Sequence, residues 1–229
     1  FVEDCYFEAC AASTAGVFYN DGGNLTALRS NFSNTHADKD AGVVEAIGGF
    51  ASFNECYFFS NSASKGGVAL VRSGAALVIE ASTVRGSWAG NKGGVVLAEV
   101  DTTVLLVRSV FDRAYSEKNG GVLTVEQGAS ATLVDCEFGN SGAKSRAGVV
   151  WLDGGNATIK GSNFHHNFAQ VGAVIQARTP GTVVVVEDSS FVDNYASSEG
   201  GVYAGAEGVV VMTNVSARRN HAGYGGVVY

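Results

Sequence analysis

Four carboxylates, Asp4, Glu55, Asp135 and Asp188, each stand three residues ahead of a phenylalanine, at Phe7, Phe58, Phe138 and Phe191. Two carboxylates about 5 to 9 Å apart on one surface are what a glycoside hydrolase requires. Asp188 and Asp193 form the best local pair. His165 and His166 are adjacent, and Cys5, Cys10, Cys56 and Cys136 carry the chemistry of disulfides or metal ligation. Which of these groups can act together depends on the elements that place them.

Those elements repeat. The tetrad Gly-Gly-Val-Val and its variants return about every 26 residues, a period that marks a solenoid whose units bury their apolar faces against neighbours. The glycine opening each Gly-Val, or Gly-Ala once, falls at Gly16, Gly42, Gly67, Gly94, Gly121, Gly148, Gly172, Gly201 and Gly226. An aromatic residue or its substitute precedes each: Phe7, Phe32, Phe58, Val84, Phe111, Phe138, Phe164, Phe191 and Ala217. Short β-branched runs such as Val183-Val184-Val185-Val186 are broken by Gly, Asn, Asp and Ser, and no helical apolar period is present. The spacing predicts an all-β chain: a right-handed parallel β-helix (β-solenoid) of about nine coils, with about three short strands per turn. Residues 1–229 form one continuous domain, a rod of roughly 43 Å at the inter-strand spacing.

Aligned on the phenylalanine column, other columns acquire meaning. Three residues on stand Asn61, Asn167, Asn194 and Asn220 among Ser and Thr, side chains able to hydrogen-bond along a stack. Five residues on stand mostly alanines, suited to a tight corner. Four residues on lies a broken aromatic stripe, His36, Trp88, Tyr115, Phe168, Tyr195 and His221, between two inward columns and therefore directed outward. Exposed aromatic stripes are candidate protein or carbohydrate interfaces, and the bland reading is that the rings cap the corner.

The same alignment disperses the catalytic candidates. Asp4, Glu55, Asp135 and Asp188 fall on coils that do not touch one another, and a bend and a strand separate Asp188 from Asp193. Cys5, Cys56 and Cys136 share a column but never adjacent coils, at separations of about 10 Å or more, beyond disulfide reach. They read as small buried thiols. His165 and His166, as neighbours, are expected to point apart as exposed turn residues, and Trp151 is either a sugar platform or a face or core aromatic. No catalytic residue, cofactor or metal is expected.

A Gly-Gly-(Ala/Val)-apolar motif paired with Phe-x-x-Asn, strict at Phe58–Asn61, Phe164–Asn167 and Phe191–Asn194, resembles the repeat of chlamydial polymorphic outer-membrane proteins and of similar algal and protist surface proteins. The resemblance covers essentially the whole chain. It implies a surface-exposed β-helix of pectin-lyase-like architecture used for adhesion or display, with no catalytic residues to transfer. Polygalacturonases share that architecture, but their Asn-Thr-Asp, Asp-Asp and Gly-His-Gly signatures are missing here.

A net charge of −7 without a basic cluster beyond Arg218-Arg219 argues against nucleic acid as a partner. Apolar runs are far shorter than a membrane span. Four sequons, at Asn24, Asn31, Asn156 and Asn214, are glycosylation candidates expected to face solvent. Phe1 enters mid-unit and Tyr229 follows a repeat motif with no cap, so the rod is expected to continue, as a longer chain or through end-to-end copies. The reading is a noncatalytic extracellular structural or adhesive rod, cell-surface or filament-forming, whose partners are copies of itself, flanking domains, surface proteins or glycans. A polysaccharide-degrading β-helix enzyme or a carbohydrate-binding module is the alternative.

Overall fold

The computed structural model describes residues 1–205 and 207–229. They form a right-handed parallel β-helix whose strands lie in four sheets, two of nine strands and two of eight, with every ladder parallel. The ninth coil adds strands only to the two larger sheets and meets the other two through isolated parallel bridges, among them Tyr195–His221 and Tyr203–Val228, so eight turns carry all four strands. Each turn holds four strands rather than the expected three. The coil from residue 76 is typical: Ala76–Glu80 in a long-strand sheet, Thr83–Arg85 in the phenylalanine sheet, Trp88–Lys92 in a corner sheet, and Val96–Ala98 in a glycine-led sheet. The corner strands shrink to two residues in places, as at Tyr115–Ser116, too short to impose a period on the sequence.

Two left-handed residues bend each coil. Ala81 (φ 47°) and Gly86 (φ 67°) flank the phenylalanine strand here, and one coil on the same places are held by Arg108 (φ 45°) and Arg113 (φ 55°). Non-glycine residues rarely adopt this conformation outside fixed surroundings. The surroundings are supplied by the neighbouring coils: Ala81 donates its backbone N–H to Val107 and Gly86 to Asp112, each at 3.0 Å.

The second glycine of the tetrad is set by close backbone approach. A Cβ on Gly94 would lie 1.9 Å from the carbonyl oxygen of Gly121. This also corrects the repeat alignment at one coil. Gly148 faces the carbonyl of Ala173, not Gly172, and Gly172 takes the left-handed place (φ 65°) held by Gly120 and Ala147 two coils and one coil earlier.

The phenylalanine column forms the expected interior stack. Phe58 pairs in register with Phe32 and Val84, and Phe138 with Phe111 and Phe164. The Phe138 and Phe164 rings lie 4.8 Å apart at 7°. Val84 interrupts the aromatic ladder without breaking the core, which is continuous from coil to coil. Two polar ladders close the bends around it. Ser109 accepts the Ser82 N–H at 3.1 Å on the near side, and Asn61 accepts the Thr35 N–H at 3.2 Å on the far side.

Candidate functional site

The stripe residues occupy one column of the corner sheet, in register from Ala11–His36 through Trp88–Tyr115 to Phe168–Tyr195 and Tyr195–His221. Trp88, Phe168 and Tyr195 are 39%, 43% and 51% exposed; His36 and His221 are exposed too, and Tyr115 is half-buried. Burial, with a smaller contribution from Glu117, raises the Tyr115 phenol above its usual value.

Gly142 stands in the stripe between Tyr115 and Phe168. A Cβ on Gly142 would lie 2.3, 2.4 and 2.6 Å from Cζ, Cε2 and Cε1 of Phe168. A point so close to three adjacent ring carbons lies beneath the face of the ring, not beyond its edge. Phe168 therefore lies flat over Gly142 and turns its other face to solvent. Tyr115 leans in from the opposite side, its ring centre 6.3 Å from that of Phe168 with 30° between the planes. The ends of the stripe are built differently: Tyr195 and His221 stack at 5.5 Å and 6°, Trp88 lies against Gly90, and the His36 ring contacts Ser62 Oγ at 3.0 Å.

A second feature lies on the outer face of the phenylalanine sheet and was not anticipated. Arg85, Asp112, Glu137, Gly139, Asn140 and His165 line a cleft of about 380 Å³. Asp112 accepts from Arg85 Nε at 2.9 Å and from Asn140 Nδ2 at 2.8 Å. Burial alone would raise its carboxyl, but the Asn140 and Arg85 hydrogen bonds outweigh that and hold it below the usual value. His165 Nε2 lies 3.1 Å from Glu137. The expectation that the two histidines diverge is wrong: His165 Nδ1 and His166 Nδ1 are 3.2 Å apart. His166 sits at a left-handed bend (φ 55°), which breaks the strand alternation that would have separated them.

The acid column remains dispersed. Asp188 accepts from Asn214 at 2.7 Å, Asp193 binds Arg219 through both oxygens, and Asp4 pairs with Arg29. Cys56 and Cys136 are buried free thiols as expected, and burial pushes Cys136 up to about 11. Cys5 and Cys10 are also free, but against the expectation of buried thiols Cys5 is exposed and Cys10 half-buried. Trp151 is a buried face aromatic, 2% exposed, with Lys92 Nζ 4.8 Å above its ring, so it offers no sugar platform. On the same glycine-led sheet Glu45 is buried against Arg72; that desolvation raises its carboxyl and the Arg72 charge opposes the rise.

Among the sequons, Asn24, Asn156 and Asn214 are exposed. Asn31 is not fully so. It lies in register between Tyr6 and Tyr57, with its Oδ1 buried and unpartnered. Tyr6, Tyr57 and Phe59, at 60%, 37% and 40% exposure, form a further aromatic group around it. The sequence held a signal for this group, since Tyr57 and Phe59 flank the inward Phe58 and must face out.

No protein-family model, no curated protein and no solved structure matches this chain. Among the described residues no helix is long and apolar enough to cross a membrane.

Proposed function

We propose that the chain is a noncatalytic extracellular rod, a structural or adhesive element of a cell surface or filament. Its partners in this reading are further copies or flanking domains stacked end to end, and surface proteins or glycans along its side. The observation that supports it is the contrast between columns. Inward columns repeat Phe, Ala, Asn and Ser coil after coil, whereas the outward aromatic stripe is exposed and varied from coil to coil. Such a scaffold holds outward side chains at fixed spacing with little freedom to move, which suits display better than turnover. The resemblance to polymorphic outer-membrane protein repeats points the same way. Antibodies raised against residues 1–229 are expected to label intact source cells; labelling only after permeabilisation would sink the surface reading.

The cleft at Asp112 and Glu137 favours the second reading, a polysaccharide-degrading enzyme, because two carboxylates line one depression. Both are engaged, Asp112 by Arg85 and Asn140 and Glu137 by His165, so neither stands ready to accept or deliver a proton without breaking a contact. Reducing-end release from pectic, glucan and mannan substrates, abolished by Asp112→Asn or Glu137→Gln, would establish the enzyme and overturn the rod.

A further inference from the structure

The geometry points to a ligand for the aromatic stripe: a neutral, extended β-linked polysaccharide chain lying along the rod axis, seated on Phe168 and Tyr115. This rests on the noncatalytic rod reading and names the class of glycan it would hold.

The first argument is ring orientation. Where stripe rings stack face to face between coils, as Tyr195 and His221 do at 5.5 Å and 6°, the facing surfaces hide each other and the edges turn outward. At Gly142 the missing side chain lets Phe168 fall flat onto the sheet instead. Tyr115 lies two coils away, about 9.6 Å along the stack, yet its ring centre is only 6.3 Å from that of Phe168 at a 30° tilt. The two rings thus make one shallow platform with outward faces. A pyranose in which the hydroxyls are equatorial has an apolar C–H face that matches such a platform, and the hydroxyls leave it sideways.

The second argument is what borders the platform. Arg113 and Asn140 stand exposed at the bend on one side, and Lys144 and Gln170 stand exposed on the other. These donors and acceptors lie where lateral hydroxyls would emerge. The stripe is one ring wide, whereas a stable protein interface hides about 800 Å² per partner around an apolar centre. A narrow apolar strip between polar borders therefore suits a sugar chain better than a folded protein.

The third argument is repeat and charge. The stripe advances about 4.8 Å per coil, close to the advance of one sugar in an extended β-linked chain. The Tyr115 and Phe168 rings, drawn together to 6.3 Å, seat neighbouring sugars of such a chain. Arg113 and Lys144 at the platform's borders are each paired with a carboxylate, Asp112 at 3.7 Å and Glu117 at 4.0 Å, and the chain carries a net charge of −7, so the platform favours neutral glucan, mannan or chitin over polyuronates and sulfated glycans.

The test uses the whole chain, residues 1–229, against amorphous cellulose, β-mannan and chitin, with polygalacturonate as the anionic control. Retention is expected on at least one neutral polymer, and Phe168→Ala should weaken it about tenfold, the scale of losing one stacking platform. Gly142→Val, which lifts the ring from its seat, should weaken it similarly, while Tyr6→Ala on another face should not. Circular dichroism confirms that each variant is folded. Failure to bind any neutral polymer, binding indifferent to Phe168→Ala, or Phe168-dependent capture of a protein instead would each overturn the proposal. Release of reducing ends with retention still dependent on Phe168 would sink the noncatalytic reading and leave the stripe assignment standing.

Discussion

Asn194 holds Asn167 twice through one oxygen: the backbone N–H and the side-chain Nδ2 of Asn167 both donate to Asn194 Oδ1 at 3.0 Å. Asn194 Nδ2 in turn donates to the Phe164 carbonyl at 3.1 Å and to Asn220 Oδ1 at 2.8 Å. One amide thus serves the bend of the preceding coil and is itself served by the next. Asn194→Ala leaves two buried donors of Asn167 without this acceptor, and we expect a loss of about 2–4 kcal/mol, each orphaned group costing roughly 1–3 kcal/mol. Asn194→Ser should cost less, because Ser141 already accepts the Ala114 N–H at 3.2 Å in the same column. Urea unfolding checks both. Equal losses for the two variants would mean the ladder acts by packing, not by hydrogen bonding.

The Asn column was legible because its partner is always one period away, and the same holds for the stripe and the phenylalanine stack. Three surface ion pairs follow the same rule. Arg29 with Asp4, Arg85 with Asp112 and Arg219 with Asp193 all join adjacent coils. What escaped the sequence was local conformation. The left-handed bend after each phenylalanine strand is held by residues as unlike as Ala9, Ser60, Gly86, Arg113, His166 and Asp193, since neighbouring coils impose the conformation. The convergence of His165 and His166 therefore left no trace. Gly172-Ala173 misled for a related reason: it imitates Gly-Val, yet the backbone contact that defines the column falls on Ala173. The flat seat of Phe168 left no trace either, because Gly142 reads in sequence only as a gap in the stripe.

Phe138 is fully buried and stacks on Phe111 at 5.0 Å and Phe164 at 4.8 Å. Phe138→Ala should cost about 3–5 kcal/mol as an internal truncation. Phe138→Val should cost less, since Val84 occupies the equivalent place between Phe58 and Phe111. Thermal melts that place both variants within error of the parent would refute the central stack as the source of stability.

Asp112 supplies a pH dependence. Its carboxyl is held below the usual 3.8 in the folded chain, so its pairing stabilises the fold above that value. The contribution is lost as pH falls through the depressed folded value. Asn140→Ala removes one of the two hydrogen bonds responsible, and should move the Asp112 titration upward in carbon-detected NMR. It should also bring forward, to higher pH, the acid loss of stability. A titration indifferent to Asn140 would show that Arg85 alone sets the charge state.

Glycan occupancy should follow exposure and not the sequon alone. The amide of Asn24 is exposed in the strand Asn24–Leu28. Asn156 is likewise exposed, and its Oδ1 accepts the Val183 N–H at 2.8 Å, which leaves Nδ2 to carry a sugar. Asn214 must give up the 2.7 Å hydrogen bond that its Nδ2 donates to Asp188, at an exposed bend, to be modified. Asn31 faces a harder obstacle. Phe32 and Ser33, the rest of its sequon, are buried, Ser33 Oγ contacts the Tyr6 hydroxyl at 3.2 Å, and Tyr6 and Tyr57 flank the amide along the stack. A glycan there would force the rings apart. Secreted from a glycosylating host, the chain should therefore carry sugar at Asn24 and Asn156, less at Asn214 and least at Asn31. Site-resolved mass spectrometry reads the order directly. High occupancy at Asn31 in folded protein would mean that Tyr6 and Tyr57 open readily, and that this aromatic group is a glycan's own seat.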